Sequence, residues 1–453
     1  MTECNQTCFP FEAHFSRRVE ARFDGSEMTT DGGALLLRAV DKKIRLLKRV
    51  AACFTDARDP ARIEHALSEM LAQRIYALAL GYEDLNDHEE LRRDPLLGVL
   101  AGQRELEEPL AGKSTLNRLE LTPAGEPHTE RYHKITYSAE ALDELLVEIF
   151  LEAHAKPPEE IVLDLDVTDT PLHGEQEARF FHGYYGHYCY LPLYIFCGEH
   201  LLCARLRPSN QDASAGSVEE VERILQQIRR RWPKVLIVLR ADSGFCREEL
   251  MAWCENHEVD YVFGLARNSR LRRRIAAPMR EAKKEQRRTG KAARVFTDFS
   301  YRTRKSWSRW RRVVGKAEYL DKGENPRFVV TSLKAEAWPA QGLYQRFYCA
   351  RGEMENRIKE QLSLFSDRLS TETLRANQLR LYFSSLAYVL LHALRRLGLR
   401  GTEWATAQVE TIRLHLLKIA AEVRLTARRV WVRYSRAYPW KTIFAAAYTA
   451  LRG

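Results

Sequence analysis

The apolar positions of this chain change period along its length, and the change divides it. From Thr30 to about Leu121 the spacing is helical: Ile63, Leu67, Met70, Leu71, Ile75 and Leu78 recur every three or four residues after Asp59-Pro60, a candidate helix start. Near Pro157 the pattern turns to strands. Ile161 to Asp166 is a short apolar run, and two more runs follow, Tyr188 to Phe196 and His200 to Leu206, joined by a tight turn at Cys197-Gly198-Glu199. Ser217-Val-Glu-Glu220 reads as a capping box that opens an amphipathic helix ending near Trp232-Pro233. The apolar strand Val235 to Leu239 comes next, then a helix over Glu248 to Asn256 and a strand over Tyr261 to Leu265. Strand-strand-strand-helix-strand-helix-strand is the element order of a ribonuclease-H-like core with a mixed five-stranded sheet.

That order gives two acidic residues a meaning. The first and fourth strands of such a sheet lie side by side, so Asp166 and Asp242, at equivalent C-terminal ends, could meet. A third carboxylate would come from a later helix packed on the sheet, where Glu355 falls. Hard divalent ions prefer carboxylate oxygens, and a pair of them can polarise both oxygens of a phosphodiester displacement. Asp164 shares a strand face with Asp166 and competes for the first position; Asp166 is favoured, which leaves Asp164 or Asp169 as a supporting or ion-pair residue.

Over a hundred residues separate Asp242 from Glu355, more than one helix and one strand can use, so something is inserted. From Arg267 through Lys316 there are nineteen Lys or Arg against Glu281, Glu285 and Asp298, a surplus of sixteen that exceeds the +10 of the whole 453-residue chain. A charge run is commonly just a solvated face, but beside a candidate phosphoryl-transfer site it points to DNA, with affinity that falls as salt rises. Thr297 to Lys305 and Arg309 to Val314 read as strands. Arg302, Arg304, Lys305 and Arg309 are candidate phosphate contacts, with Trp307 and Trp310 either stacking on an unpaired base or serving as core.

Other features narrow the class. Hydrophobic residues at 45% and charged residues at 29% fit a soluble globular protein. Nine scattered cysteines form no paired C-x-x-C motifs, so free thiols are expected, and Cys254-x-x-His257 reads as a helix end rather than half a zinc site. Met1-Thr-Glu-Cys-Asn does not resemble a secretory signal. The apolar run Leu381 to Leu394 contains Ser384, Ser385 and His392 and is too short for a bilayer, so a buried helix is predicted. Gly112-Lys113-Ser114 lacks the upstream glycine of a phosphate loop, which is Glu107 here.

Around Glu355 the chain reads Tyr348-Cys-Ala-Arg351-Gly-Glu-Met-Glu355-Asn-Arg-Ile-Lys359, with Tyr348, Arg351 and Glu355 on one helical face. Together with Leu163-Asp-Leu-Asp166-Val-Thr-Asp and Leu239-Arg-Ala-Asp242-Ser-Gly-Phe245, this stretch resembles the motifs of bacterial insertion-sequence DDE transposases, with the closest likeness to the 1380 family. Ala77-Leu-Ala-Leu-Gly-Tyr-Glu-Asp-Leu-Asn-Asp87, His173-Gly-x-Gln176 and Ala427-Arg-Arg-Val430 extend the resemblance over nearly the whole chain.

The resemblance implies an α/β ribonuclease-H-like core interrupted by a basic β-rich insertion. The parts would be an N-terminal helical, DNA-end-binding domain (1–135), the first part of the core (136–266), the insertion (267–340), the core's C-terminal helices with Glu355 (341–400) and a basic C-terminal segment (401–453). It implies that Asp166, Asp242 and Glu355 hold two Mg²⁺ ions, with Mn²⁺ able to substitute, to cut DNA at the element's terminal inverted repeats and join the freed 3′-hydroxyls to target DNA. Tyr348 and Arg351 would grip phosphates. The related signature has a lysine seven residues after the glutamate, where this chain has Leu362; Lys359, one turn after Glu355, is the candidate substitute. A homodimer on paired double-stranded ends, in the bacterial cytoplasm near the nucleoid and away from membranes, completes the expectation. The alternatives are a structure-selective endonuclease on the same fold and a non-catalytic DNA-binding regulator.

Overall fold

The computed structural model describes residues 8–123 and 132–453. The chain forms two compact units, one from Met1–Lys43, Glu64–Leu116 and Ala393–Gly453, the other from Ile44–Ile63 and Asn117–His392.

The second unit is built on a nine-stranded mixed sheet. Its strands are β1 (Glu160–Val167), β2 (Leu193–Cys197), β3 (His200–Arg205), β4 (Leu236–Ala241), β5 (Asp260–Leu265), β6 (Ala293–Tyr301), β7 (Arg311–Leu320), β8 (Gly323–Glu324) and β9 (Arg327–Thr331). They lie in the order β3-β2-β1-β4-β5-β9-β7-β6, with β8 paired to β7. The first five give the 3-2-1-4-5 order of a ribonuclease-H-like core, with β4 parallel to both β1 and β5 and β2 antiparallel to β1 and β3. The basic insertion does not make a separate sheet: β9 pairs with β5, so its strands widen the core sheet beyond the five expected.

Each face of the sheet is covered. Ile161, Leu163 and Leu165 of β1 and Ile237 and Leu239 of β4 point into a continuous core. Against them pack α1 (Ala139–Glu152), α2 (Ser217–Arg231), α3 (Glu248–Asn256) and α4 (Ala276–Thr289), through side chains such as Phe150, Ile224, Leu250 and Met279. Burial of each such side chain contributes on the order of 1.5–3 kcal/mol. The opposite face is apolar through Val238, Val262, Val314 and Val329, and is covered by Leu343, Tyr344 and Phe347.

Helix boundaries differ from the sequence reading where backbone chemistry decides them. Gly216, at φ 72, is the N-cap of α2, and Ser217 donates its hydroxyl to Ser214 O instead of capping. Asp59 accepts from Ala61 N in a short 3₁₀ turn over Pro60–Arg62, while the long helix begins only at Leu67, with Glu69 accepting from Ala66 N. Tyr188 lies outside β2, in a small sheet of Thr170–Pro171, Phe180–His182 and His187–Tyr190. The apolar run from Leu381 sits in α6 (Leu374–Gly398), whose Gln378 bonds Leu206 N and Ala204 O and so satisfies backbone groups along the β3 edge.

In the first unit the helix Leu67–Leu80 is buried from Met70 onward, with Gln73 bonding the His88 ring and Ala111 O. A helix over Pro95–Ala101 is capped by Asp94, and Met28–Thr29 forms a three-stranded sheet with Ala421–Thr426 and Arg429–Tyr434. Cys4 lies outside the described residues, and the other eight cysteines are free thiols. Among the described residues no helix is long and apolar enough to cross a membrane.

Candidate active site

Strand register sets the acidic residues. Because β1 and β4 are parallel with Arg240 opposite Asp164 and Ala241 opposite Leu165, Asp242 follows at the level of Asp166. Alternation then puts Asp164, Asp166, Arg240 and Asp242 on one face. Arg240 grips Asp164 with two nitrogens, at 2.6 and 2.7 Å, and donates a third bond of 2.7 Å to Phe347 O. Asp164 is therefore engaged in a buried fork. Burial holds its carboxyl above the usual range despite the arginine.

Asp166 opens onto a cleft of about 560 Å³ whose lining includes Asp242, Arg351, Glu355, Lys359 and Leu362. Its Oδ1 accepts from Val167 N at 2.9 Å and its Oδ2 accepts from Arg351 Nη1 at 2.9 Å. Burial is the main reason its pKa rises to about 6; Arg351 opposes the rise, and the charges of Asp242 and Glu355 add to it. Asp242 directly follows β4 as the N-cap of a 3₁₀ turn, where one oxygen accepts from Gly244 N at 2.8 Å.

The third acid arrives on an irregular helix. Leu343–Tyr348 is a π turn and Cys349–Arg351 a 3₁₀ turn before α5 (Gly352–Leu362) begins, a wound segment of the kind found at functional sites. Arg351 stands between two acids, 2.9 Å from Asp166 and 3.6 Å from Glu355. Burial lowers the affinity of its guanidinium for the proton, but Asp166, Asp242 and Glu355 together raise it above its ordinary value. Tyr348 sits close by: a Cβ added to Gly264 would fall 2.5 Å from its hydroxyl and 2.9 Å from Ser243 N, so glycine is what lets the phenol approach the end of β4. Burial raises the Tyr348 pKa, with Asp242 adding to it.

Among the described residues no three acidic, histidine or cysteine side chains are gathered tightly enough to be a metal cluster. The donor chemistry nevertheless fits a hard cation. The acids bring only carboxylate oxygens, and a guanidinium stands where two of them converge.

The remaining sequence candidates divide. Lys359 reaches the cleft, as does Leu362, so one turn of α5 presents an ammonium and the next an apolar side chain. Arg302, Arg304 and Lys305 are exposed around the end of β6, and Trp310 is 58% exposed. Arg309 pairs with Glu255 at 3.2 Å. Trp307 is a correction: at 5% exposed it belongs to the main core, edge-to-face with Tyr301 and under the Arg311 guanidinium, so no base can stack on it. Asp169 pairs with His187 at 2.8 Å, and Gln176 closes a turn by accepting from Gly174 N, with His173 exposed beside it. The Cys254 thiol is buried at the end of α3 and the His257 ring bonds Trp253 O.

The sequence reading missed Arg240 and Gly264, and it missed His182, Tyr184 and Tyr185, which share the cleft wall. Arg240 could have been found by aligning the two strand ends; the aromatics stand out only as a dense run between Phe180 and Tyr190.

Two aspartates at neighbouring ends of a 3-2-1-4-5 sheet, with a glutamate from a later helix, define a ribonuclease-H-like acidic centre. The chain belongs to the DDE transposases, matching the family described as transposase DDE domain group 1 over residues 11–453. Among solved structures it is similar to a piggyBac transposase seen by cryo-EM in a synaptic complex with hairpin DNA, at 10% identity and a TM-score of 0.43, with 86% of this chain and 80% of that chain covered. No curated protein matches the sequence.

Proposed function

We propose that this chain is a transposase that cuts DNA at the terminal inverted repeats of an insertion sequence and joins the 3′-hydroxyl ends to target DNA. The observation that carries the reading is the convergence of Asp166 and Asp242 at parallel strand ends with Glu355 across the Arg351 guanidinium. Asp166, Asp242 and Glu355 would hold two divalent ions, Mg²⁺ or Mn²⁺. When bound, these supply Lewis acidity to the attacking and leaving oxygens.

The chain's own residues do the rest. A guanidinium offers two parallel donors to a phosphate, so Arg351, already in the cleft, orients the scissile group. Lys359 adds a point charge where the related signature has a lysine three residues further on. Tyr348, seated against Gly264, offers a hydroxyl to the same group. The exposed Arg302, Arg304 and Lys305 would follow the duplex backbone, and a homodimer would bring two ends together.

Incubating the full-length chain with linear element ends and a target plasmid in Mg²⁺ tests this. Joined products are expected, and Asp242→Asn should abolish cleavage while end binding survives. Cleavage without joining would reassign the protein to the structure-selective nucleases. Cleavage unchanged in Asp242→Asn would remove the acidic centre from the chemistry.

A further inference from the structure

The hairpin from Phe180 to Tyr190 carries aromatic surface that the acidic centre does not use. Its strands pair with His182 opposite His187, and the turn Gly183-Tyr-Tyr-Gly186 closes with Gly186, at φ +76, donating its N–H to His182 O at 2.8 Å. The hairpin is held at its root. Thr170 and Pro171 pair with Tyr190 and Cys189, His187 is tied to Asp169 at 2.8 Å, and Tyr190 donates its hydroxyl to Glu177 O at 2.6 Å. Asp169 lies three residues after Asp166, so the hairpin is anchored on the chain that carries the first catalytic acid.

At the tip, Tyr184 is 87% exposed, with its ring edge-on to Tyr185 at 5.1 Å. Phe181 and Tyr188, 58% and 45% exposed, meet edge-to-face at 5.6 Å, and Arg179 lies over the Tyr188 ring at 4.9 Å. His182, Tyr184 and Tyr185 form cleft wall together with Asp166, Asp242, Arg351 and Lys359. The His182 Nδ1 is buried without a hydrogen-bond partner among the described residues.

Charge and ring chemistry identify the occupant. Flat π faces with a cation above one of them, next to a cleft with a guanidinium and an ammonium, match alternating bases and phosphates of a nucleic-acid strand. An apolar peptide would leave those charges unanswered. We propose that this hairpin is a stacking platform that takes an unpaired nucleobase next to the phosphate held in the cleft, with Tyr184 as its principal ring. The proposal rests on the DNA-cleaving reading above and adds a requirement: the end is engaged frayed, not fully paired.

The test uses two probes and the full-length chain in Ca²⁺, so that binding is read without turnover. One probe is a blunt duplex; the other is the same duplex with a three-nucleotide single-stranded tail carrying 2-aminopurine. The tailed probe should bind about tenfold more tightly than the blunt one, with its fluorescence quenched. Tyr184→Ala, at a solvent-exposed turn tip, should remove both the preference and the quenching, whereas Tyr184→Phe should keep both. Binding of the blunt duplex with no tail preference, or quenching that survives Tyr184→Ala, overturns the platform alone. Failure to bind either probe overturns it together with the transposase reading.

Discussion

Two guanidinium groups, Arg240 and Arg351, divide the two aspartates of β1 between them. Arg240 closes a two-point fork on Asp164 where both side chains are buried, and Arg351 makes a single contact with Asp166 at the cleft. Removing one partner of a buried pair strands the other charge in a medium that solvates it poorly. Arg240→Met is therefore expected to lower stability by roughly 3–5 kcal/mol in urea denaturation. Arg351→Met should cost much less stability, because Asp166 faces the cleft, and should instead abolish cleavage. Equal losses of stability would show that the two aspartates are not distinguished in this way.

Elements place these residues by means the sequence displays unevenly. Gly264 on β5 admits the Tyr348 hydroxyl beside the end of β4, and a methyl group there would meet both the phenol and the Ser243 backbone. Gly264→Ala should leave the chain folded but displace Tyr348, reducing cleavage by about tenfold or more, since overpacking at such a contact costs about 1–3 kcal/mol; wild-type rates would rule out close approach as the reason for glycine. A second element contact is α1 against α6, where Asp143 accepts from the Tyr382 hydroxyl at 2.8 Å. Burial raises the Asp143 pKa to about 6, with the Glu220 charge adding to it and Arg223, Tyr382 and Arg205 opposing. A carboxyl that holds its proton more firmly folded than unfolded contributes stability at low pH, and that contribution is lost as pH rises through the folded pKa. Melting temperature of the wild type relative to Asp143→Asn should thus decline between pH 4 and pH 7, and a flat difference would contradict the assignment.

The 3-2-1-4-5 order was legible because each core strand is a short apolar run and α2 matches its amphipathic stretch. Asp166 and Asp242 follow from register once that order is known. Gly264 and the Arg240 fork were not legible, since each depends on a residue distant in sequence that only folding brings near. Trp307 could be read either way, because an indole in a basic run looks the same whether it faces DNA or the core.

At the scale of the whole chain the charge of the insertion is smaller in effect than its count. Arg311 is locked between Glu248 and Glu255, Arg312 on Asp298, Arg294 and Lys316 on Glu318, and Arg288 on Glu285. The Arg294–Glu318 and Arg312–Asp298 pairs join β6 to β7 and Arg311 ties β7 to α3, so these cations have little charge left for a polyanion, whereas Arg288–Glu285 is an exposed pair within α4. Arg302, Arg304 and Lys305, like Arg273, Arg274, Lys284 and Arg287 of the same segment, are exposed and have no ion-pair partner among the described residues. Each cation that meets a duplex phosphate releases condensed counterions, so the logarithm of affinity falls with the logarithm of salt by about 0.9 per contact. Replacing Arg302, Arg304 and Lys305 with alanine should reduce the magnitude of that slope by roughly 2–3, read by fluorescence anisotropy between about 50 and 200 mM salt. Arg311→Ala should instead destabilise the fold, because it leaves Glu248 and Glu255 without their shared partner. If the triple variant keeps the wild-type slope, the duplex is followed by another surface, for which the exposed cations between Arg267 and Lys291 are the next candidates.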